Sequence, residues 1–154
     1  MDESFQEKIK NRLYRAWEEW KPDYEDWLKW SGSLYAPDAI IMAIGDEPQL
    51  FSDYQHSMKM QRDAFNMDMG PIESCVAEDN VVAISYNMYM TQKAEIMGLP
   101  ASGKTAVIRI AEFNTFEEIA GYDKPMVVKL EVIGSGLLEK LVDFGPDGRI
   151  ILPK

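Results

Sequence analysis

Histidine and cysteine are nearly absent from this 154-residue chain, which has one of each, His56 and Cys75. A lone cysteine makes no intrachain disulfide, and one histidine with one cysteine cannot complete a His/Cys zinc site. Basic residues are scarce as well. Sixteen Lys and Arg stand against twenty-six Asp and Glu, a net charge of −10 that repels phosphate backbones and anionic lipid headgroups. Nucleic acid and membrane surfaces are therefore not expected as partners. No stretch approaches the roughly 18 apolar residues of a membrane span, and the run from Met1 to Lys8 lacks a basic segment followed by an apolar one. These features predict a soluble, cytoplasmic protein. No Asp/Glu/His cluster has metal-ligand spacing and no Ser-His or Cys-His pairing is readable, so any chemistry is expected to need no cofactor or metal.

What is present suits one packed core: 46% of residues are apolar and 27% charged, and the length predicts a single domain over residues 1–154. Phe5, Ile9, Leu13, Ala16, Trp17 and Trp20 recur at three and four, which predicts an amphipathic helix near 4–20. Lys21-Pro22 ends it, because the residue before proline avoids the helical region, and a second helix near 22–33 begins with Asp23, Glu25 and Asp26 in its positive first turn. Four tryptophans, Trp17, Trp20, Trp27 and Trp30, fall in this short stretch. They fit an aromatic ligand box or plain core packing, and their helical spacing favours the core. Ala39 to Ile44 reads as a buried strand. Phe51, Tyr54, Met58 and Phe65 place a third helix near 51–66.

From Pro71 onward the apolar period changes to two. Strands are predicted at Ile72–Glu78, Val81–Lys93, Thr105–Phe116, Met126–Ile133 and Leu137–Phe144. Asp79-Asn80 is a two-residue hairpin signal, and Gly134-Ser135-Gly136 and Gly145-Pro146-Asp147-Gly148 are turn clusters. Helices first and an antiparallel meander afterwards give an α+β fold, with the helices on one face of a curved sheet.

Gly98-Leu99-Pro100-Ala101-Ser102-Gly103-Lys104-Thr105 satisfies the phosphate-loop pattern G-x-x-x-x-G-K-[ST]. That loop works only between a buried parallel strand and a helix N-terminus. Here Thr105 to Phe113 alternates and is β-branched, so a strand follows. A turn between two long antiparallel strands is expected instead, with no nucleoside triphosphate bound at Lys104.

Several short stretches are similar to the SnoaL-like polyketide cyclases of the nuclear-transport-factor-two-like superfamily. They are Leu34-Tyr35-Ala36-Pro37-Asp38-Ala39, the helix after Gly45, the strand from Val81, and Met97-Gly98-Leu99-Pro100-Ala101-Ser102-Gly103-Lys104. The last resembles that family's G-[IL]-P-P-[TS]-G-[KR] turn. The resemblance covers roughly residues 8 to 115 and implies a cone: a bent antiparallel sheet closed by about three helices around an apolar pocket, paired as a homodimer through the sheet. Relatives include cyclases, dehydratases and isomerases, together with members that only bind. Asp147-Gly148-Arg149-Ile150 resembles the family's late D-G-[KR]-I turn, which makes residues 117–140 an expected insertion. The familiar catalytic positions depart from the pattern: the acid of ketosteroid-isomerase-like relatives would fall near Ala43, and a histidine of some cyclases near Gln92.

Within that frame Ala106, Ile108, Ile110, Glu112, Asn114 and Phe116 share one face of a strand that turns polar at Glu112. A carboxyl beside an apolar pocket is harder to ionise, which suits general acid–base work; a solvated Glu112, or one paired with Arg109 or Lys129, is the plain alternative. Tyr86, in the row Val82, Ile84, Tyr86, Met88 and Met90, is either a core aromatic or a phenol donating to a substrate carbonyl. His56 has an imidazole suited to proton transfer, yet it lies opposite the third helix's apolar stripe, where exposure or a dimer contact is expected. The candidate catalytic set is Glu112, Tyr86 and His56. Trp27, Tyr35, Met42, Tyr54 and Met58 are expected to line the pocket, joined by Met88, Met90, Ile110 and Asn114 from the strands. The resemblance implies a lyase or isomerase acting on a small apolar or cyclic carbonyl compound, with a non-catalytic binding or dimerisation module as the alternative. Glu112, Tyr86 and His56 facing one cavity of about 300 Å³ or more would support the enzyme.

Overall fold

Ser4 accepts a hydrogen bond from the Glu7 N–H, and Asp23 from the Asp26 N–H; these caps start α1 (Phe5–Glu19) and α2 (Tyr24–Leu34). The computed structural model describes residues 3–44, 47–95, 98–134, 143–144 and 150–151. After α2 come β1 (Tyr35–Met42), β2 (Gln49–Leu50), α3 (Phe51–Ala64) and β3 (Phe65–Met69). Then follow β4 (Ser74–Glu78), β5 (Val81–Gln92), β6 (Thr105–Glu117), β7 (Met126–Gly134) and the short pair β8 (Asp143–Phe144) and β9 (Ile150–Ile151). Among the described residues no helix is long and apolar enough to cross a membrane.

The main sheet runs β2-β1-β7-β6-β5-β3, with β4 also on β5. β5 is long enough to share one edge between two partners, β3 along its second half and β4 along its first. The sheet curls around the helices, giving the expected α+β cone, with one pair, β1 and β7, running parallel. Inward residues of β5 and β6 (Val82, Ile84, Tyr86, Ile108, Ile110, Phe116) pack with Ile9 and Leu13 of α1 and Leu34 of α2 in one core. Arg12 ties the layers together by donating to the carbonyls of Ser33 and Pro125. Asn80 pins the bulge in β6 between Thr115 and Phe116, accepting from the Phe116 N–H and donating to its carbonyl.

Several boundaries differ from the expectation. The strand read at Ala39–Ile44 starts four residues earlier, because a register shift between Tyr35 and Ile40 lets Pro37, which has no N–H to pair, sit inside β1. β3, merged above with the third helix, is separate. The stretch 117–140 is not an insertion throughout, since β7 lies between β6 and β1 in the main sheet. Most of the strand expected at Leu137–Phe144, and the Gly145–Gly148 turn, lie outside the described residues.

Candidate functional site

Antiparallel pairing sets Ile84 opposite Glu112 and Tyr86 opposite Ile110, so Tyr86 and Glu112 are diagonal neighbours on the inner face. The Tyr86 hydroxyl donates to Glu112 Oε1 at 2.5 Å. Glu112 is only 6% exposed, and its Oε2 has no hydrogen-bond partner. Both residues line a cavity of about 230 Å³ between the sheet and the three helices. Aromatic rings form the wall: Trp17 meets Tyr86 edge-on at 4.9 Å between ring centroids, Trp30 meets Tyr35 at 6.3 Å, and Trp27 meets Tyr54 at 5.9 Å. Trp30 Nε1 donates to the Ala16 carbonyl, whereas Trp17 Nε1 is enclosed with no partner.

Burial raises the Glu112 pKa to about 7, against the opposing pull of the Tyr86 hydrogen bond. Asn114, next along the same row, pulls the same way as Tyr86, although neither atom of its amide completes a hydrogen bond. Burial also drives the phenols of Tyr35, Tyr54 and Tyr86 upward, and the Glu112 charge adds to each, so all three hold their protons at neutral pH.

Arg62, in the last turn of α3 and 7% exposed, also lines the cavity. Its guanidinium carbon lies 5.2 Å from the Trp27 ring centroid and 5.7 Å from that of Trp20, and Nη1 meets the Met67 sulfur. Nε is buried without a partner, and among the described residues no carboxylate pairs with the group. Among the described residues no cluster of three His, Cys, Asp or Glu is placed to hold a metal ion.

No protein-family model and no curated protein matches the sequence. Solved structures do match the fold. A candidate polyketide cyclase from Xanthomonas campestris pv. campestris superposes with a TM-score of 0.69 at 17% identity, over 90% of this chain and 97% of its own. A candidate SnoaL-like polyketide cyclase from Jannaschia sp. CCS1 gives a TM-score of 0.70 at 12% identity, over 92% and 96%. The fold is the SnoaL-like one. AclR, a candidate hydroxylase from Streptomyces galilaeus, shares it with a TM-score of 0.64 at 20% identity, over 86% of this chain and 91% of its own. The SnoaL-like cone thus carries more than one named chemistry, and the activity must be argued from the site.

Inside this SnoaL-like cone the structure brings together Glu112, Tyr86, Trp27, Tyr35, Tyr54, Met58, Met88, Met90 and Ile110. Glu112 is not solvated or paired: Arg109, on the outer face, pairs with Glu73 instead. Three expected residues lie elsewhere. His56 is exposed on α3 and does not line the cavity, which removes it from the catalytic set. Met42 is turned away, and Ala43 and Ile44 line the wall in its place, because a continuous apolar run carries no alternation from which to read its faces. Asn114 faces inward but is fully buried in the core.

Arg62 was not among the expected site residues, and of the four tryptophans only Trp27 was expected at the pocket, the helical spacing favouring the core for the others. All four line the cavity, and only Trp27 is fully buried. The supposed phosphate loop is a β5–β6 connection in which Gly98 and Gly103 take positive φ of 81° and 69°. Gln92 holds this turn: its Nε2 donates to the carbonyls of Ala94, Leu99 and Pro100, and its Oε1 accepts from Ser102. Its position at the strand end just before a glycine turn was the available signal.

Proposed function

We propose that this chain is a cofactor-independent lyase or isomerase of the cyclase or dehydratase type, acting on a small cyclic carbonyl compound through general acid–base catalysis at Glu112. The observation that carries the reading is the Tyr86–Glu112 pair at 2.5 Å on the cavity wall, with the second carboxylate oxygen unpartnered. Oε2 takes the proton from the carbon beside the carbonyl, breaking that C–H bond as negative charge moves to the carbonyl oxygen; the same oxygen later returns the proton to another position. Tyr86, whose hydroxyl is occupied by Oε1, is a positioning residue rather than the oxyanion donor expected above. The unpartnered Trp17 N–H is the donor for the carbonyl oxygen. A carboxyl that titrates at about 7 is half ionised at neutral pH, the condition for both accepting and returning a proton.

The test is hydrogen–deuterium exchange at the α-carbon of small cyclic ketones, followed by NMR. Glu112→Gln is expected to lower the exchange rate about a hundredfold or more, and the wild-type rate to rise with pH through the Glu112 titration. Exchange that survives Glu112→Gln overturns the mechanism. The second reading is a binding module, since the cavity of about 230 Å³ falls short of the roughly 300 Å³ taken above as support for the enzyme. That reading expects ligand binding with no exchange at all. The exposed apolar residues Val76, Tyr89, Val107, Phe113 and Ile133 on the outer sheet face support a homodimer formed through the sheet.

A further inference from the structure

Arg62 poses a problem of unmet valence. A guanidinium has five N–H donors, and here Nη1 faces a thioether, a weak acceptor, Nε is enclosed without a partner, and Nη2 makes no hydrogen bond among the described residues. The flanking rings of Trp20 and Trp27 supply cation–π attraction but no acceptor. Leaving a buried cation without an acceptor is costly, and the remedy is a partner that arrives from outside. Arg62 lines the cavity, and so does Trp17, whose enclosed Nε1 is a second donor without a partner. The described cavity wall thus includes, among its polar groups, the unmet donors of Arg62 and Trp17, an aromatic surround and the unpartnered oxygen of Glu112.

We propose that the ligand of this cavity is a small aromatic or cyclic carboxylate, with its anionic group held by Arg62 and its ring system between the tryptophans. This rests on the cavity being the ligand site proposed above, and adds the class of compound. The planar guanidinium fork matches a carboxylate, which accepts two parallel N–H bonds. A dianion such as a phosphate monoester fits less well. Among the described residues Arg62 is the one cation lining the cavity, and Asp23 and Asp63 line a second groove that shares this arginine. An apolar cavity of about 150 Å³ holds benzene. About 230 Å³ therefore leaves room for one or two rings.

The experiment titrates the full chain at pH 6 with 2-naphthoate and with 2-naphthamide, its uncharged counterpart of the same shape. Quenching of the cavity tryptophans reports binding, and calorimetry confirms it. Naphthoate is expected to bind at least about tenfold more tightly, the size of one charge-assisted hydrogen bond. Arg62→Met should erase that preference, and Arg62→Lys should keep part of it. Equal affinities, no binding of either compound, or a preference that survives Arg62→Met overturns the proposal. The wild-type comparison decides without any variant, so a poorly folding Arg62→Met does not obscure the result. Naphthoate preference with no ketone exchange keeps the ligand class and removes the catalysis; exchange with no such preference does the reverse.

Discussion

Glu112 titrates near 7 in the folded chain and near 4.5 without the burial that raises it, so between those values the folded state holds more protons than the unfolded one. Stability contributed by the neutral carboxyl is present below that window and is lost as pH rises through it. The full penalty above pH 7 amounts to roughly 3 kcal/mol. Urea denaturation of wild type and Glu112→Gln at pH 5 and pH 8 should show the variant gaining on wild type by about that amount at the higher pH. The same difference at both pH values would mean that Glu112 ionises as it does in water. Asn114 makes a second prediction. Its amide is fully buried with both polar atoms unpaired, so Asn114→Leu should be neutral or stabilising in the same assay.

At the scale of elements, the β5–β6 hairpin carries the site, and its connecting turn depends on one amide. Gln92 is 4% exposed, and the Lys93 and Ala94 N–H groups donate to the Ala64 carbonyl, so the same turn also fastens the end of α3. Gln92→Leu leaves the carbonyls of Leu99 and Pro100 and the Ser102 hydroxyl without their partner. It is expected to destabilise the protein by about 1–3 kcal/mol in denaturant titration, with hydrogen-exchange protection lost first between Gln92 and Lys104. Because α3 presents Arg62 and Tyr54 to the cavity, the loosened turn should also weaken naphthoate binding. The phosphate-loop likeness has its physical explanation here: two glycines with positive φ serve a strand-to-strand reversal, and a strand, not a helix, follows the lysine.

For the whole molecule, the curl of the sheet divides its residues between a concave face under the helices and a convex face in solvent. On the convex face Tyr89 pairs with Val107, Ala83 with both Val76 and Phe113, and Ala111 with Ile133, which puts apolar residues on four strands to either side of Arg109 and its partner Glu73. Sedimentation should find a dimer, and Val107→Glu or Phe113→Glu should shift it to monomer while leaving the inner cavity and its ligand binding unchanged. A monomeric wild type removes the dimer.

The sequence by itself determined the three helices and the long strands, because periods of 3.6 and 2 are local properties of the chain. It also put Tyr86 and Glu112 in rows with apolar neighbours, and left open whether Glu112 was buried or solvated. It did not determine what those rows enclose. Trp17, Trp20, Trp27 and Trp30 have the spacing of core residues, and only the way α1 and α2 pack over the curled sheet opens a cavity between them. Arg62 reads as an ordinary polar position near a helix end until α3 packs against α2 and encloses it beneath Trp20 and Trp27. The parallel β1–β7 pair joins residues just over ninety positions apart, Tyr35 with Val127, and no local pattern encodes such a pairing. Burial, the cause of the raised Glu112 pKa and of Arg62's unmet donors, belongs to the assembled elements, so the chemistry of the site was decided by tertiary structure.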